Sequence, residues 1–354
     1  MTARPAVNAA QLSCPAPVEA TDHVQLGHGS GGKLSAQLVA QHFLSQFGNP
    51  ALAQLGDASV VSVGGAELAI STDSFVVHPL EFPGGNIGSL AVHGTLNDVA
   101  MMGARPACLT AGFVLEEGLS LSVLDRVIGE MTRAARAAGV PIVAGDTKVV
   151  DRGKADGLYI NTTGVGLLDA EFRPSPDRAR DGDAILVSGP VARHGMAIMA
   201  AREGLAFESA ITSDTACLMP LVDALRPLGA DVHVLRDPTR GGVASTLNEI
   251  AVASSVGVEI DEGALPVPGD VRAACEMLGL DPLYVANEGV MVVFVSGERA
   301  AEALHALRSH PLGAEAVRIG HVVAAHPRLV ALRTALGGTR VVDLLPGDQL
   351  PRIC

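Results

Sequence analysis

Apolar positions along the chain follow two periods. After a glycine-rich stretch at 27–32, Leu34, Leu38, Val39, Phe43, Leu44 and Phe47 fall at helical spacing and predict a helix. Segments 59–63 and 67–71 flank Gly64-Gly65 and read as a β-hairpin. Segments 87–102 and 122–139 read as helices, the second stopping at Gly139 ahead of Pro141. Three apolar stretches, 108–114, 141–144 and 158–168, read as strands. The polar run 169–182 (DAEFRPSPDRARDG) breaks this pattern and predicts a domain boundary. Beyond it, strands are expected at 184–187, 232–235, 290–295 and 317–322, and helices at 195–203, 215–225, 243–254 and 297–308. Strands and helices do not alternate strictly, so the pattern predicts an α+β fold rather than a doubly wound sheet. Residues 1–25 lack periodicity and read as a loose arm, and 345–354, with two prolines and a glycine, as an extended tail.

Composition narrows the class. A length of 354 residues suits two domains. Aromatics make up only 3% and Trp is absent, so Ala, Val, Leu and Gly must do the packing. The formal charge of −13 excludes a protein whose main task is gripping a nucleic-acid backbone. Mean hydropathy is high at +0.34, yet no apolar run approaches the ~18 residues of a membrane helix. The first thirty residues show no apolar core of a signal peptide. Five scattered cysteines (Cys14, Cys108, Cys217, Cys275, Cys354), never spaced as CxxC, suit reduced thiols in a cytoplasm.

Several stretches carry candidate chemistry. The loop Gly27-His28-Gly29-Ser30-Gly31-Gly32-Lys33 opens a helix, and its backbone N–H groups suit a phosphate. It is not a Walker loop: Leu34 stands where the magnesium-binding hydroxyl belongs. A flexible turn is the plainer reading of this loop. Acids recur at the ends of apolar segments: Asp57, Asp73, Asp98 beside Asn97, and Asp146. One such acid is usually a cap or turn residue; four launched from rigid elements could converge on Mg2+ and a polyphosphate. In Gly145-Asp146-Thr147-Lys148 the lysine suits phosphate contact or proton transfer, or else is a solvated strand end. Asp237-Pro238-Thr239-Arg240-Gly241-Gly242 offers an anion clamp at Arg240, and Glu288 in Asn287-Glu288-Gly289 reads locally as a turn carboxylate. Cys354 ends the chain beside its own carboxylate, which disfavours a thiolate unless a cation compensates. It is not fourth from the end, so no prenylation box is present. From Leu345, the tail could reach up to roughly 30 Å, enough to visit an active site.

Together these stretches resemble the HypE family of hydrogenase maturation proteins, the carbamoyl dehydratases. That family shares an ATP-binding superfamily with aminoimidazole ribonucleotide synthetase, selenophosphate synthetase and thiamine monophosphate kinase. The resemblance rests on HGSGGKLS (28–35), STDSFVVHPL (71–80), FPGGNIGSLAVHGTLNDVAMMGA (82–104), GDTKVV (145–150), RDPTRGGVASTLNEIA (236–251), NEG (287–289) and the closing PRIC (351–354). The middle motifs indicate the superfamily; the terminal PRIC narrows it to the family. Glu81 and Asn86 depart from the family's commoner Phe and Asp.

The resemblance implies two α+β domains: an arm at 1–27, an ATP-binding and dimerisation domain at 28–170, a second domain at 171–344 and a mobile tail at 345–354. It implies a homodimer with ATP sites near the interface. Asp57, Asp73, Asp98, Asp146 and, from the second domain, Asp237 become Mg2+–nucleotide residues. Gly29, Ser30, Gly31, Gly32, Lys33, Asn97, Thr147 and Arg240 become nucleotide contacts. Cys354 becomes the modified group: the carbamoyltransferase HypF would load it, ATP would activate the carboxamide oxygen, and Lys148 with Glu288 would handle protons. The cyanide would pass to a HypC–HypD scaffold bound for a nickel–iron hydrogenase. The rival reading is a selenophosphate synthetase or thiamine phosphate kinase. Against it, the glycine loop has no cysteine, and a small-molecule kinase has no use for Cys354.

Overall fold

The computed structural model describes residues 22–204, 211–347, 350 and 352–354. Most of the arm expected at 1–27 lies outside these residues, as does Pro351. After the glycine loop the chain is helical from Lys33–Leu38 (α1) through a π-type segment, Val39–Leu44, to Ser45–Phe47 (α2). Phe43 and Phe47 on this stretch remain exposed.

The first half forms a five-stranded sheet in the order β1-β2-β7-β5-β6. The hairpin read at Gly64-Gly65 joins Ser59–Val63 (β1) to Ala66–Phe75 (β2), in antiparallel register. A two-stranded ribbon follows, Glu81–Phe82 (β3) with Gly85–Asn86 (β4), and leads into the helix Ile87–Met101 (α3). Asn86 starts α3 as an N-cap: its side-chain oxygen accepts from the N–H groups of Gly88 at 2.8 Å and Ser89 at 3.2 Å. Strand Ala104–Glu116 (β5) lies antiparallel to Leu158–Leu168 (β7) and parallel to Ile142–Val150 (β6), the parallel crossover being the helix Leu121–Ala138 (α4). α3 packs across β2, β5 and β7 and is buried nearly all round. Glycine on β7 permits this closeness: a Cβ at Gly164 would sit 2.9 Å from the Thr95 methyl. β6 forms the far edge and is exposed along almost its whole length.

The second half forms a seven-stranded sheet in the order β14-β13-β10-β12-β8-β11-β9. Its strands are Ala184–Val187 (β8), Val232–Arg236 (β9), Gly257–Asp261 (β10), Val292–Val295 (β11), Val317–Val323 (β12), Val330–Arg333 (β13) and Thr339–Val342 (β14). Helices in this half are Arg193–Glu203 (α5), Met219–Leu225 (α6), Gly242–Ala253 (α7), Gly269–Leu278 (α8) and Ala300–Arg308 (α9). Ile185, Val187, Val234 and Phe294 enter the core shared with α7, while Leu186, Leu235, Val293 and Val295 enter the core shared with α6 and α9. That is the period-two alternation of a sheet buried on both faces. Mixed sheets covered by helices make this an α+β fold.

Two expected elements are corrected. The strand read at 141–144 runs on through Asp146 and Lys148 to Val150. The helix anticipated from residue 215 begins only at Met219, with Pro220 in its first turn, where a missing N–H costs nothing. Residues 211–218 instead form a strap without regular structure. Among the described residues no helix is long and apolar enough to cross a membrane.

Candidate functional site

The site gathers where the two sheets meet along α3. Asp57 precedes β1, Asp98 sits on the inner face of α3, and Asp237 follows β9; one carboxylate oxygen of each lies within 4.8 Å of the others. Ser71 donates to Asp98 at 2.6 Å, and Arg236 bridges Asp57 and Glu249, both at 2.7 Å. Burial and the neighbouring acids push Asp98 well above the usual carboxylate range. Burial does the same to Asp57 against the pull of Arg236, and raises Asp237 to about 6. Asp73, on β2, is raised by burial and held back by Arg240. An all-oxygen donor set that burial penalises as bare charge fits a hard divalent cation such as Mg2+.

Arg240 stands beside this cluster, close enough to feel Cys354, Asp73, Glu288 and Asp98, which together hold it firmly protonated. The glycine loop packs onto it. Arg240 donates to the Gly29 carbonyl at 3.4 Å, and Gly31, at φ +77°, lies so near the Arg240 backbone that a Cβ would come within 2.8 Å of its carbonyl oxygen. Ser245 donates to the Gly31 carbonyl at 3.2 Å. Ser30 is turned to the Gly27 carbonyl at 2.7 Å, Gly32 backs onto Leu345, and Lys33 pairs with Asp343 at 2.7 Å.

Glu288, read locally as a turn residue, is buried in the site. Among the described residues its Oε1 has no hydrogen-bond partner, and burial followed by Asp237, Asp214 and Asp73 raises its carboxyl well above the usual range. The tail closes the chamber. The Val76 N–H donates to an oxygen of the Cys354 terminal carboxylate at 3.1 Å, the His78 N–H to the Arg352 carbonyl at 3.2 Å, and Arg352 pairs with Asp156. Cys354 is 7% exposed. Burial drives its thiol far up; Arg240 opposes this, while Glu288, Asp73 and Asp237 add to it.

Three expected members stand elsewhere within the single chain. Asp146, Thr147 and Lys148 lie on the exposed edge strand β6, where Lys148 pairs with Asp146 at 2.5 Å. Ser74, Asn161, Gly112 and Asp146 share one row across the sheet, which puts Asp146 about 14 Å from β2. By alternation Asp146 also faces away from Asp73, onto the sheet's open side. Asn97 spends its amide on the strap, donating to Ala216 at 3.0 Å and accepting from Leu218 at 2.8 Å. The two departures from the family pattern are structural: Asn86 caps α3, and Glu81 pairs with Arg126 at 2.7 Å.

The sequence reading passed over His194, Ser213 and Asp214. His194 contacts the Ile353 carbonyl at 2.6 Å and Ser213 at 2.8 Å. The Asp214 carboxylate, raised to about 6 by burial, accepts from the N–H groups of Glu288 and Gly289 at 3.3 and 3.2 Å. Pro220, which marks where α6 starts, was the available sign that 215 lies outside a helix.

Models of AIR synthase related proteins match both halves, the N-terminal domain at 55–168 and the C-terminal domain at 180–331. A protein of Cupriavidus necator named carbamoyl dehydratase HypE is 53% identical over 332 residues, covering 94% of this chain and 95% of its own. The chain belongs to the HypE family. The HypE of Escherichia coli K12 is 46% identical over 338 residues, covering 94% of this chain and all of its own. A crystal structure of HypE in complex with ATP superposes with a TM-score of 0.79 at 52% identity, covering 92% of this chain and 98% of that one. A HypE–HypF complex gives 0.83 at 46%, covering 87% and 99%. A thiamine monophosphate kinase shares the fold, at TM-score 0.63 and 17% identity over 88% of this chain and 99% of that one.

Proposed function

We propose that this chain is an ATP-dependent carbamoyl dehydratase of hydrogenase maturation, acting on a carbamoyl group carried by its own Cys354. The seat of Cys354 carries this reading: the terminal thiol is buried among Glu288, Asp73, Asp237 and Arg240, at the edge of the carboxylate cluster. A small-molecule kinase would leave that chamber open to its substrate.

Direct dehydration of the thiocarboxamide would expel hydroxide, a poor leaving group. Attack of the carboxamide oxygen on the ATP γ-phosphorus, with loss of one N–H proton, gives an O-phosphorylated imidate and ADP. Breaking its C–O bond as the second N–H proton leaves gives R–S–C≡N and phosphate. Mg2+, when bound, would offset charge on the transferred phosphoryl group, held by Asp57, Asp98, Asp237 and Asp73. Arg240 and the loop at 29–33 would cradle the phosphates. Glu288, with an unpaired oxygen and a raised pKa, suits proton transfer from the carboxamide nitrogen.

Asp146, Thr147 and Lys148 enter this reading through a homodimer. The exposed β6, with Val143 and Val149 on its surface, suits pairing with a second copy, whose Lys148 would reach the first copy's site. HypF is the proposed carbamoyl donor, supported by the complex of a relative with HypF, and a HypC–HypD scaffold the proposed cyanide acceptor. Intact mass spectrometry of the full chain with HypF, carbamoyl phosphate and Mg-ATP tests the reading. A carbamoyl adduct on Cys354 that loses one water only as ATP is consumed is the expected result. An unmodified Cys354 beside ATP turnover on a small substrate would overturn it.

A further inference from the structure

We infer that His194 seats the tail cysteine, and that the strap Ser213-Asp214-Thr215 ties this seat to the placement of Glu288. The inference rests on the reading of Cys354 as the reacting group.

The Ile353 carbonyl can only accept a hydrogen bond, so the 2.6 Å contact makes His194 Nε2 the donor. Nδ1 is then the acceptor, and the Ser213 hydroxyl donates to it at 2.8 Å. Burial holds the imidazole neutral, its pKa lowered to about 4, so the carbonyl and the hydroxyl together fix one tautomer. Withdrawal of the tail would leave a buried N–H without a partner, a cost that favours docking. Elsewhere the tail is held by backbone contacts to Val76 and His78, by Arg202, which donates to the Arg352 carbonyl at 2.7 Å, and by Arg352 itself on Asp156. His194 is the buried side-chain contact next to the cysteine.

The strap continues the connection. Ser213 Oγ accepts from the Thr215 N–H at 3.1 Å, and the Ser213 N–H donates to the Pro83 carbonyl at 2.8 Å. Next along, the Asp214 carboxylate receives the N–H groups of Glu288 and Gly289, and the Ala216 N–H returns to the Glu288 carbonyl at 3.2 Å. A Cβ at Gly289 would collide with the Asp214 carbonyl, so the two segments lie backbone against backbone. Thr215 contacts His93 on α3 at 3.2 Å. With no helix or strand of its own, the strap takes its shape from these bonds. Consecutive residues thus hold the two groups that must meet: Ser213 through His194 holds the tail, and Asp214 holds Glu288. His194, Ser213 and Asp214 are positioning residues, since none is placed at the reacting atoms.

The test uses the full chain and the variants His194→Ala, His194→Gln, Ser213→Ala and Asp214→Asn. The first readout is alkylation of Cys354 by iodoacetamide, followed on the C-terminal peptide. The second is single-turnover, ATP-dependent loss of water from protein already carbamoylated by HypF. His194→Ala and Ser213→Ala are expected to speed alkylation about tenfold and slow water loss about tenfold, the scale of one buried hydrogen bond, without slowing carbamoylation. His194→Gln, whose amide can donate to the same carbonyl, is expected to recover most of both. Asp214→Asn is expected to slow water loss while leaving alkylation within twofold of wild type.

Wild-type alkylation rates in both His194→Ala and Ser213→Ala would overturn the seat, and unchanged water loss in Asp214→Asn would overturn the link to Glu288. Ser213→Ala decides the seat alone if His194→Ala does not fold. Should carbamoylated wild-type protein lose no water at all, the dehydratase reading fails, and alkylation still decides the seat.

Discussion

Arg240 and Cys354 are electrostatic partners: the guanidinium pulls the pKa of the buried thiol down, against burial and the neighbouring acids. Burial wins at the sulfur, reinforced by Glu288, Asp73 and Asp237, so the docked thiol stays protonated and weakly nucleophilic. On the proposed function, loading of Cys354 would belong to an undocked tail and dehydration to a docked one.

Replacing Arg240 by Ala should remove both the cation beside the docked thiol and the proposed phosphate contact. Single-turnover water loss from carbamoylated protein is expected to fall at least tenfold, with carbamoylation by HypF within a few-fold of wild type. Arg240→Lys should recover only part, because a point charge lacks the fork of the guanidinium. Quenched-flow mass spectrometry of the C-terminal peptide reads both rates.

Glu288→Gln keeps the shape and removes the proposed proton acceptor. Water loss is expected to drop by about 10²–10⁴-fold, the usual range for a general base, while the carbamoyl adduct still forms and accumulates. Because burial raises the Glu288 carboxyl, the wild-type rate should climb with pH through that raised value. A pH–rate profile of the isolated dehydration step checks the rise, which the variant should lose.

The acid cluster costs stability when no cation is bound. Asp98 is buried against like charges and raised well above the usual range, so the folded state gains when its charge is removed. Asp98→Asn is expected to raise the melting temperature in EDTA by a few degrees, about 1–3 kcal/mol of stability. ATP turnover with Mg2+ should fall by a hundredfold or more. Differential scanning calorimetry and a phosphate-release assay read the opposite signs.

His194 supplies a pH dependence of known sign. Its pKa is about 4 in the folded chain against 6.5 for a free imidazole, so between these values the unfolded state binds the extra proton. Its contribution to stability is complete above about pH 6.5 and is lost as pH falls toward 4, with about 2 kcal/mol gone by pH 5. The unfolding free energies of wild type and His194→Gln should therefore converge by roughly that amount between pH 7 and pH 5. Urea titrations at the two pH values measure it.

Much of the framework was legible because it is periodic and local. The hairpin at Gly64-Gly65, the strand at 184–187 and the glycine stop of α4 each follow from a few adjacent residues. Three strands were not read: β10, β13 and β14 are about as short as β8, but charged residues (Glu259, Asp261, Arg333, Arg340) interrupt their apolar positions, where β8 is an unbroken apolar run. Asp57 and Asp98 stood out at the ends of apolar segments and Asp237 only through the family resemblance, and their meeting depends on α3 lying between the two sheets. Glu288 looked like a turn residue because its burial comes from the strap and the tail rather than its neighbours. His194 carried no local signal, since its partner Ile353 is 159 residues away.

The root of the tail is fixed as firmly as its tip. Lys33 donates its N–H to the Leu345 carbonyl at 2.8 Å, with Gly32 pressed against the same residue, so the segment ending in Cys354 starts at the glycine loop itself. A group on so short a tether sees its own site at an effective concentration on the order of millimolar. On the proposed function, a thiocarboxamide carried there would not be diluted, and its capture would follow no Michaelis constant. A partner that loads or unloads Cys354 must compete with that local concentration, so its hold on the withdrawn tail has to be strong, or the tail's return to the chamber slow.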